Sequence, residues 1–543
     1  MKFTLVFQFL TVTLIAMLLV ACGGGGGGGG STTPPPSASY TVGGTVSGLT
    51  GTGLVLRNNG GDSLSIVADG IFTFTNTVAN GDAYDVTVSD HPTHQTCSVS
   101  NGSSVVAQAD VTDVAVACKI NVTQLATGSA HSCGLLANGN IKCWGGNYIG
   151  QLGAGDTNNR GSASGEMGDL LPAVDLGSGH TAIQVAVNGQ SRHTCALLDD
   201  GNVKCWGAND NGQLGLGDTT ARGRTPGEMG DSLPTVELGT GRTATYIAVS
   251  SYHTCALLDD GTVKCWGLNA NGQLGQGDAN PRGGAPGEMG DALPAVDLGT
   301  GRTAVQIAVG NYHNCALLSD GGVKCWGRNT ERQLGSGDGS HRGTAPGQMG
   351  DALPTVNLGT GRTATQVAAG RFHACALLDN GQVKCWGDNA NGQLGLGDMT
   401  SRGGAPGEMG DALPAVDLGT GRAAIQMAAG AYHTCALLDD GNVKCWGLNA
   451  NGQLGLGDMT PRGGAPGEMG DALPTIDLGT GSTAIQIVAG ANHTCARLSS
   501  SNSDFKCWGG NNFGQLGLGD SDDRGDAADE MGDGLPLVDV GTR

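Results

Sequence analysis

Apolar positions fall into three regimes along the chain. Leu5 to Val20 is an apolar stretch. From Tyr40 to Cys118, short runs such as Ser-Leu-Ser-Ile-Val, Ile-Phe-Thr-Phe-Thr and Tyr-Asp-Val-Thr-Val alternate apolar and polar side chains between Gly, Asn and Asp turns. Period-two alternation between turn signals predicts strands, and a small β-sandwich over 40–118. Beyond that the pattern repeats. Residues 233–270 hold four strand-like runs, Leu-Pro-Thr-Val-Glu-Leu, Thr-Ala-Thr-Tyr-Ile-Ala-Val, His-Thr-Cys-Ala-Leu-Leu and Val-Lys-Cys-Trp-Gly, and equivalents recur in every period. Trp stands at 144, 206, 266, 326, 386, 446 and 508, always in Cys-Trp-Gly. A period this long means a solenoid, a propeller or an array, and four strands per repeat is the content of a propeller blade. The first hairpin, His131 to Trp144, has no Leu-Pro strand before it, whereas the last unit ends in a spare one, Leu535 to Val540. The expectation is that this C-terminal strand completes the first blade and latches the ring, removing a sheet edge.

Composition narrows the class. At 543 residues a single core is excluded, and 99 Gly with only 18 Pro and no triplet period excludes collagen. With 38% apolar and 14% charged residues, wholesale disorder is excluded too. The net charge of -21 repels phosphate backbones, so no nucleic-acid partner is expected.

Lys2 before the apolar stretch and small residues at Ala21 and Cys22 form a secretory signal, residues 1–21. Leu19-Val20-Ala21-Cys22 resembles the lipobox of bacterial lipoproteins, which implies lipidation of Cys22, a membrane anchor and a cell-envelope location. Gly23 after the Cys is the pattern associated with outer-membrane delivery, facing the periplasm or the cell surface. The alternatives are an uncleaved signal anchor and a cleaved, secreted protein. Eight glycines and Pro34-Pro35-Pro36 make 22–39 a spacer. The 40–118 segment resembles the immunoglobulin-like or carboxypeptidase-regulatory-like spacers of bacterial surface proteins, a stalk.

Cysteine spacing suits export. Cys97 and Cys118 are expected to pair in the sandwich. Each repeat holds a pair of its own: Cys133 with Cys143, Cys195 with Cys205, Cys255 with Cys265, Cys315 with Cys325, Cys375 with Cys385, Cys435 with Cys445 and Cys495 with Cys507. Taking Asp199-Asp200-Gly201 as a three-residue loop with Gly201 left-handed puts Cys195 opposite Cys205 at a non-hydrogen-bonded position, where a disulfide closes without backbone movement. The competing reading is metal, since His193 and Cys195 with Cys205 offer three zinc ligands on one face. A structural zinc needs four, and exported thiols oxidise. Eight disulfides plus Cys22 account for all 17 cysteines. No metal and no cofactor is expected.

His253-Thr-Cys-Ala-Leu-Leu-Asp-Asp-Gly-Thr-Val-Lys-Cys-Trp-Gly267, followed by Asn271-Gly-Gln-Leu-Gly275, resembles the regulator of chromosome condensation repeat, over 119–543. The resemblance implies a seven-bladed β-propeller and packed structural histidines. The fold class is therefore all-β. The family's namesake is a nucleotide exchange factor that binds chromatin, from which this acidic, exported chain departs. A secreted β-lactamase inhibitor propeller of the same fold, which binds an enzyme through aromatic rim loops, is the nearer analogue.

Almost every polar residue recurs seven times, which points to architecture rather than to an asymmetric catalytic constellation, and no phosphate loop or nucleophile elbow is present. No catalytic residue is assigned. Asn209-Asp210-Asn211-Gly212 and the Gly-Asp turns resemble calcium loops only in part. The Pro-Gly-Glu-Met-Gly-Asp-x-Leu-Pro loops predict either an acidic crown of Glu228, Asp231 and their equivalents or carboxylates neutralised by Arg222 or Arg224. Specificity is sought where the repeats differ. The residue before each His is Ala130, Arg192, Tyr252, Tyr312, Phe372, Tyr432 or Asn492, an aromatic arc suited either to protein binding or to packing between blades. The fourth repeat adds Arg328, Glu331, Arg332 and His341. The reading is a monomeric, lipid-anchored interaction or scaffold module with an unknown protein partner. The competing readings are an exchange-factor-like regulator and a propeller enzyme or inhibitor acting on an envelope or extracellular target.

Overall fold

The computed structural model describes residues 38–542. The signal, Cys22 and nearly all of the spacer lie outside them. The first unit has two four-stranded sheets. One orders Gly70–Thr73, Val42–Ser47, Val111–Ile120 and Gln95–Ser100, the other Asp62–Ile66, Leu54–Asn58, Ala83–Asp90 and Ser103–Val105. Their inward-facing positions supply one core that includes Val42, Leu54, Leu56, Phe72, Phe74, Tyr84 and Val114. Cys97 lies opposite Cys118 on paired antiparallel strands, and the two form a disulfide.

Seven three-stranded antiparallel sheets follow, each made of consecutive strands. In blade 3 these are the inner strand Ala244–Val249, the His strand His253–Leu258 and the Cys-Trp-Gly strand Val263–Gly267. The outer two pair in the register read from the Asp-Asp-Gly turn: Cys195 faces Cys205, Gly201 has φ +80°, and the Cys195–Cys205 Cα separation is 4.1 Å. The same register recurs around the ring. Cys133 is bonded to Cys143, Cys255 to Cys265, Cys315 to Cys325, Cys375 to Cys385 and Cys435 to Cys445. In blade 7 the hairpin loop is longer, yet Cys495 still faces Cys507 and the two are bonded. All seven blade pairs are therefore disulfides, and neither sulfur of a pair is left as a thiolate for a metal.

Two expectations are corrected. The Leu-Pro segment is not a full fourth strand. Val236 donates its N–H to Val203 O at 2.8 Å, and Val296, Val356, Val416 and Ile476 repeat that bond in their own blades. Proline has no N–H to donate, which is why the ladder stops at about one bond. Nor does the C-terminal segment complete the first blade. Val538 donates to Phe505 O, inside the seventh hairpin, and Val174 donates to Ile141 O, so each blade owns the Leu-Pro segment that follows it.

The ring closes through packing between blades. Trp266 of blade 3 shares a cluster with the Cys195–Cys205 face and Val236 of blade 2. Between blades 7 and 1 the same cluster is built from Trp144, Val122, Leu125, Cys495, Phe505, Cys507 and Val538. Buried lysines staple the outer edge. Lys204 donates to Leu176 O of the preceding blade and to Gly230 O, and Lys142 likewise reaches Val540 O across the closure.

The sandwich docks on the face that carries the Asp-Gly turns, called the lower rim below. Asn121 donates to His94 O while accepting from the Ala137 N–H of the first turn, and Gln95 donates to Thr542 O. Strand Val42–Ser47 ends at Gly48 beside Thr542, so residue 38 leaves from the far end of the sandwich. The upper rim, where inner strands turn into His strands, faces away from it.

Candidate interaction rim

The upper rim is positioned by two internal rings of hydrogen bonds. The inner strands point a glutamine toward the next blade. Gln124 accepts the Val185 N–H through Oε1 and donates from Nε2 to Val185 O, and this two-way clamp recurs at Gln184, Gln306, Gln366, Gln426 and Gln486, the last reaching Leu125. In blade 3 the position is Tyr246, which lines the central cavity of about 220 Å³.

The second ring is made by the histidines. Thr194 donates its hydroxyl to Gln151 O, so His131 must hold its proton on Nε2 and donate it to Thr194 Oγ1, 3.0 Å away. His193, His373 and His433 bond the next blade's Thr in the same way, His253 bonds Asn314, and His493 bonds Ser132. His313 faces Ala374 instead, and neither of its ring nitrogens has a partner. Burial pushes the histidines down to about 3 or 4, so they are neutral packing groups.

Six of the seven His strands therefore start from a fixed point, and the residue before each His projects onto the upper rim. Tyr252 and Tyr312 stack at 5.4 Å between centroids, and Tyr312 and Phe372 at 6.5 Å with planes 14° apart. Arg328 lies over both Tyr312 and Phe372, at 5.6 and 5.0 Å. Arg371 lies over Phe372 and Tyr432, at 5.1 and 5.3 Å, and donates to the Tyr432 hydroxyl. The result is a continuous stack of rings and guanidinium groups over blades 3 to 6. Arg192 joins a second group, lying 5.7 Å over Tyr148, which in turn meets Phe513 at 6.3 Å.

Comparison with known proteins bears on this ring of repeats. The regulator of chromosome condensation (RCC1) repeat matches at 200–257, 260–317, 320–377, 380–437 and 440–497, more than half of the chain. A second form of the repeat matches seven times between 122 and 515. The chain belongs to the RCC1-repeat family. The ultraviolet-B receptor UVR8 of Arabidopsis thaliana is 29% identical over 406 residues, 74% of this chain and 79% of its own length. Protein pim1 of Schizosaccharomyces pombe is 28% identical over 403 residues, 71% of this chain and 68% of its own. Among solved structures, yeast RCC1 (Prp20) bound to Kap60 superposes with a TM-score of 0.51 at 21% identity, covering 75% of this chain and 84% of that one. Human WBSCR16 gives 0.51 at 19%, covering 69% and 85%. At these identities the structures share the fold.

Within this RCC1-repeat ring the other sequence candidates resolve into architecture. Glu228 accepts the N–H groups of Arg224 and Thr225, and Asp231 accepts the N–H and hydroxyl of Ser178 from the preceding blade. Burial raises the Glu228 carboxyl, but the bonds from Arg224 and Thr225 outweigh it and hold it below the usual range, and the Ser178 N–H does the same for Asp231. These carboxylates tie loops together instead of forming an open acidic crown. Arg222 pairs with Asp218 at 2.6 Å, not with Glu228. Asn209 donates to Asp218 and accepts the Leu214 N–H through Oδ1, so its side chain is spent on holding its own loop. His180, Asp199 and Asp200 cluster on the lower rim, where His180 takes the place of the arginines that pair with aspartates in other blades, such as Arg242 with Asp259 and Asp260.

Arg332 does not join the stack. It occupies a left-handed position, φ +70°, that is glycine in the other blades, and its guanidinium donates to Ser401 O. Two rim residues escaped the sequence reading: Tyr148 and Phe513, 45% and 40% exposed. Their signal is present in the repeats, since positions equivalent to Tyr148 carry Asp, Ala, Thr or Asn and those equivalent to Phe513 carry Ile, Asn or Glu. The first 62-residue Trp spacing also has a location. The loop between Ala186 and His193 is two residues longer than its equivalents, and its Asn188 reaches across to donate to Val309 O of blade 4. The longer first spacing thus marks one loop particular to blade 2.

Proposed function

We propose that this RCC1-repeat propeller is a protein-interaction module displayed at a bacterial cell envelope, with the upper rim as its binding face. One observation carries the reading. Residues 119–543 contain eight Tyr and Phe; six lie on the upper rim, Tyr246 lines the cavity and Phe505 is in the core. Aromatic and arginine side chains concentrated at one surface are what protein interfaces use for anchoring. The rim also faces away from the sandwich, from whose far end residue 38 leaves; the sequence before it carries the lipobox-like Leu19-Val20-Ala21-Cys22. Lipidation at Cys22 would hold the chain by that end, and the glycine tract would carry the rim outward.

Two measurements test this. Replacing Tyr252, Tyr312, Phe372 and Tyr432 together with Ser, then repeating affinity capture from envelope extract, is expected to abolish partner recovery by a folded variant; unchanged recovery overturns the rim assignment. Cys22→Ser is expected to move the protein from the membrane fraction to the soluble fraction, and retention in the membrane overturns the anchor.

A further inference from the structure

Eleven arginines of this propeller follow two patterns. On the outer loops, Arg160, Arg222, Arg282, Arg342, Arg402, Arg462 and Arg524 each pair with the Asp four residues earlier. On the lower rim, Arg242, Arg302, Arg362 and Arg422 each pair with an aspartate of the adjoining hairpin turn. The upper rim departs from both. Among the described residues no carboxylate lies within 4 Å of Arg192 or Arg371, which are held on aromatic faces instead, and the Nε of Arg371 is buried without an acceptor. Arg328, between Tyr312 and Phe372, pairs with one carboxylate, Glu331 of its own loop at 2.7 Å, and donates from Nε to Thr330 Oγ1. Among the described residues Arg57, Arg224, Arg332 and Arg497 have no ion pair either, but in this chain of net charge -21 it is Arg192 and Arg371 that lack one beside the rim's aromatic rings.

A guanidinium held on a ring face has its terminal N–H groups pre-oriented, and two of them match a carboxylate through parallel hydrogen bonds; at Arg371 the buried Nε is out of reach and Nη1 already donates to Tyr432, which leaves Nη2. Little side-chain entropy remains to be lost when the pair forms. We propose that the upper rim binds an acidic segment of a protein partner, whose Asp and Glu carboxylates take the edges of Arg371 and Arg192 and displace Glu331 from Arg328, while its aromatic or aliphatic side chains pack on Tyr252, Tyr312, Phe372, Tyr432, Tyr148 and Phe513. This rests on the interaction reading of the rim and adds the chemistry of the partner. The negative charge of the rest of the molecule does not oppose it, because at physiological ionic strength charges more than about 8 Å apart are largely screened. A few carboxylates seated on the rim therefore feel the nearby guanidinium groups first. An extended polyanion, such as a nucleic acid or an anionic lipid surface, would instead lie against the acidic loops as well.

The experiment selects a random dodecapeptide display library on the full mature chain, then measures the enriched peptides, made synthetically, by fluorescence anisotropy. The expected result is enrichment of peptides with several Asp or Glu beside Phe, Tyr, Trp or Leu. Affinity should fall about tenfold or more in R192Q/R371Q, a loss of at least one good charge-assisted pair. The R192K/R371K variant should fall between, since Lys keeps the charge without the fork. Melting temperature of each variant confirms folding. Basic or neutral selected peptides, acidic peptides that bind R192Q/R371Q as well as they bind the parent, or competition by phosphatidylglycerol vesicles or heparin would overturn the proposal. Peptides that need the rim aromatics but not the arginines overturn the acidic chemistry and leave the interaction reading standing. Absence of any rim-dependent peptide overturns both.

Discussion

The seams on either side of blade 4 differ from the other five. Each of those five carries two internal links, a glutamine clamp and a histidine bond, as between blades 6 and 7, where Gln426 holds Ile487 and His433 bonds Thr494. Between blades 3 and 4 the clamp is gone because Tyr246 stands in the glutamine position; between blades 4 and 5 the histidine bond is gone because Ala374 faces His313. The rim stack crosses both of these seams, Tyr252 on Tyr312, then Tyr312 and Arg328 on Phe372, and runs on over the doubly linked seam between blades 5 and 6, where Arg371 lies over Tyr432. Where the interior has lost a link, aromatic and cation–π contacts worth about 0.5–1.5 kcal/mol each lie over the gap. Packing between blades and partner binding are therefore not exclusive roles for these rings. The stack holds blade 4 in place and presents its outer edge.

The strongest test asks whether a doubly linked seam depends on its core or on its links. Trp446 sits in the cluster between blades 5 and 6 with the Cys375–Cys385 face. Trp446→Ala should lower the unfolding free energy in guanidinium titration by about 3–5 kcal/mol, because a large buried side chain leaves a cavity that the links cannot close. A loss below about 1 kcal/mol would show that the hydrogen-bond rings carry the seam.

Acid should attack all seven blades through one residue type. Burial holds the ring histidines at about 3 or 4, below the ordinary 6.5, so the unfolded chain binds more protons than the folded one between those values. Their stabilising contribution is complete above about 6.5 and is lost as pH falls from there toward the folded values. The carboxylates held low, such as Asp291 and Asp471, contribute only to losses at still lower pH. The melting temperature should thus fall between about pH 7 and pH 5, and the fall should be smaller in His433→Gln, measured by scanning calorimetry at fixed ionic strength. An unchanged melting temperature over that range would contradict the buried, neutral histidines.

Much of this was legible before any coordinates. The Asp-Asp-Gly turn fixes the hairpin register, the register fixes the cysteine pairs, and the residue before each His alternates onto the rim because strand side chains alternate. Ownership of the Leu-Pro segment was not legible. The linear order Leu-Pro, inner strand, His strand is equally consistent with a segment starting a blade or ending one, and only the bond from Val236 to Val203 O decides it. The gaps at Tyr246 and Ala374 are visible as departures from Gln and Thr. Their meaning needs the knowledge that each position reaches the following blade. Tyr148 and Phe513 lie in loops where no period marks the outward face.

The clamp itself sharpens the comparison. Gln306→Ala removes the glutamine link from the seam that already lacks its histidine bond, whereas Gln426→Ala leaves His433 on Thr494. Each loses two hydrogen bonds and strands a backbone N–H, a cost of about 2 kcal/mol. The difference should appear in local opening: amide exchange in Ala364–Ala369 should accelerate more in Gln306→Ala than exchange in Ala484–Ala489 does in Gln426→Ala. Equal acceleration would mean that the surviving histidine bond does nothing for its seam.

The smallest expected effect is a gain. In four of the six intact links the histidine donates to a threonine hydroxyl that passes its own proton to the carbonyl of a Gly-Gln-Leu-Gly turn, as Thr434 does to Gln393 O at 2.9 Å. Ala374 occupies the same register position opposite Trp386, whose indole N–H already bonds Gln333 O, the carbonyl equivalent to Gln393 O. A threonine at 374 would find its acceptor in place and would give the Nε2 of His313 an oxygen to donate to. Satisfying a buried ring nitrogen contributes about 1 kcal/mol, and threonine suits a strand. Ala374→Thr should therefore raise the denaturation midpoint with an unchanged slope. A midpoint that drops would show instead that the space beside Ala374 is too tight for the added atoms, making the missing link a consequence of how closely blades 4 and 5 pack under Arg328.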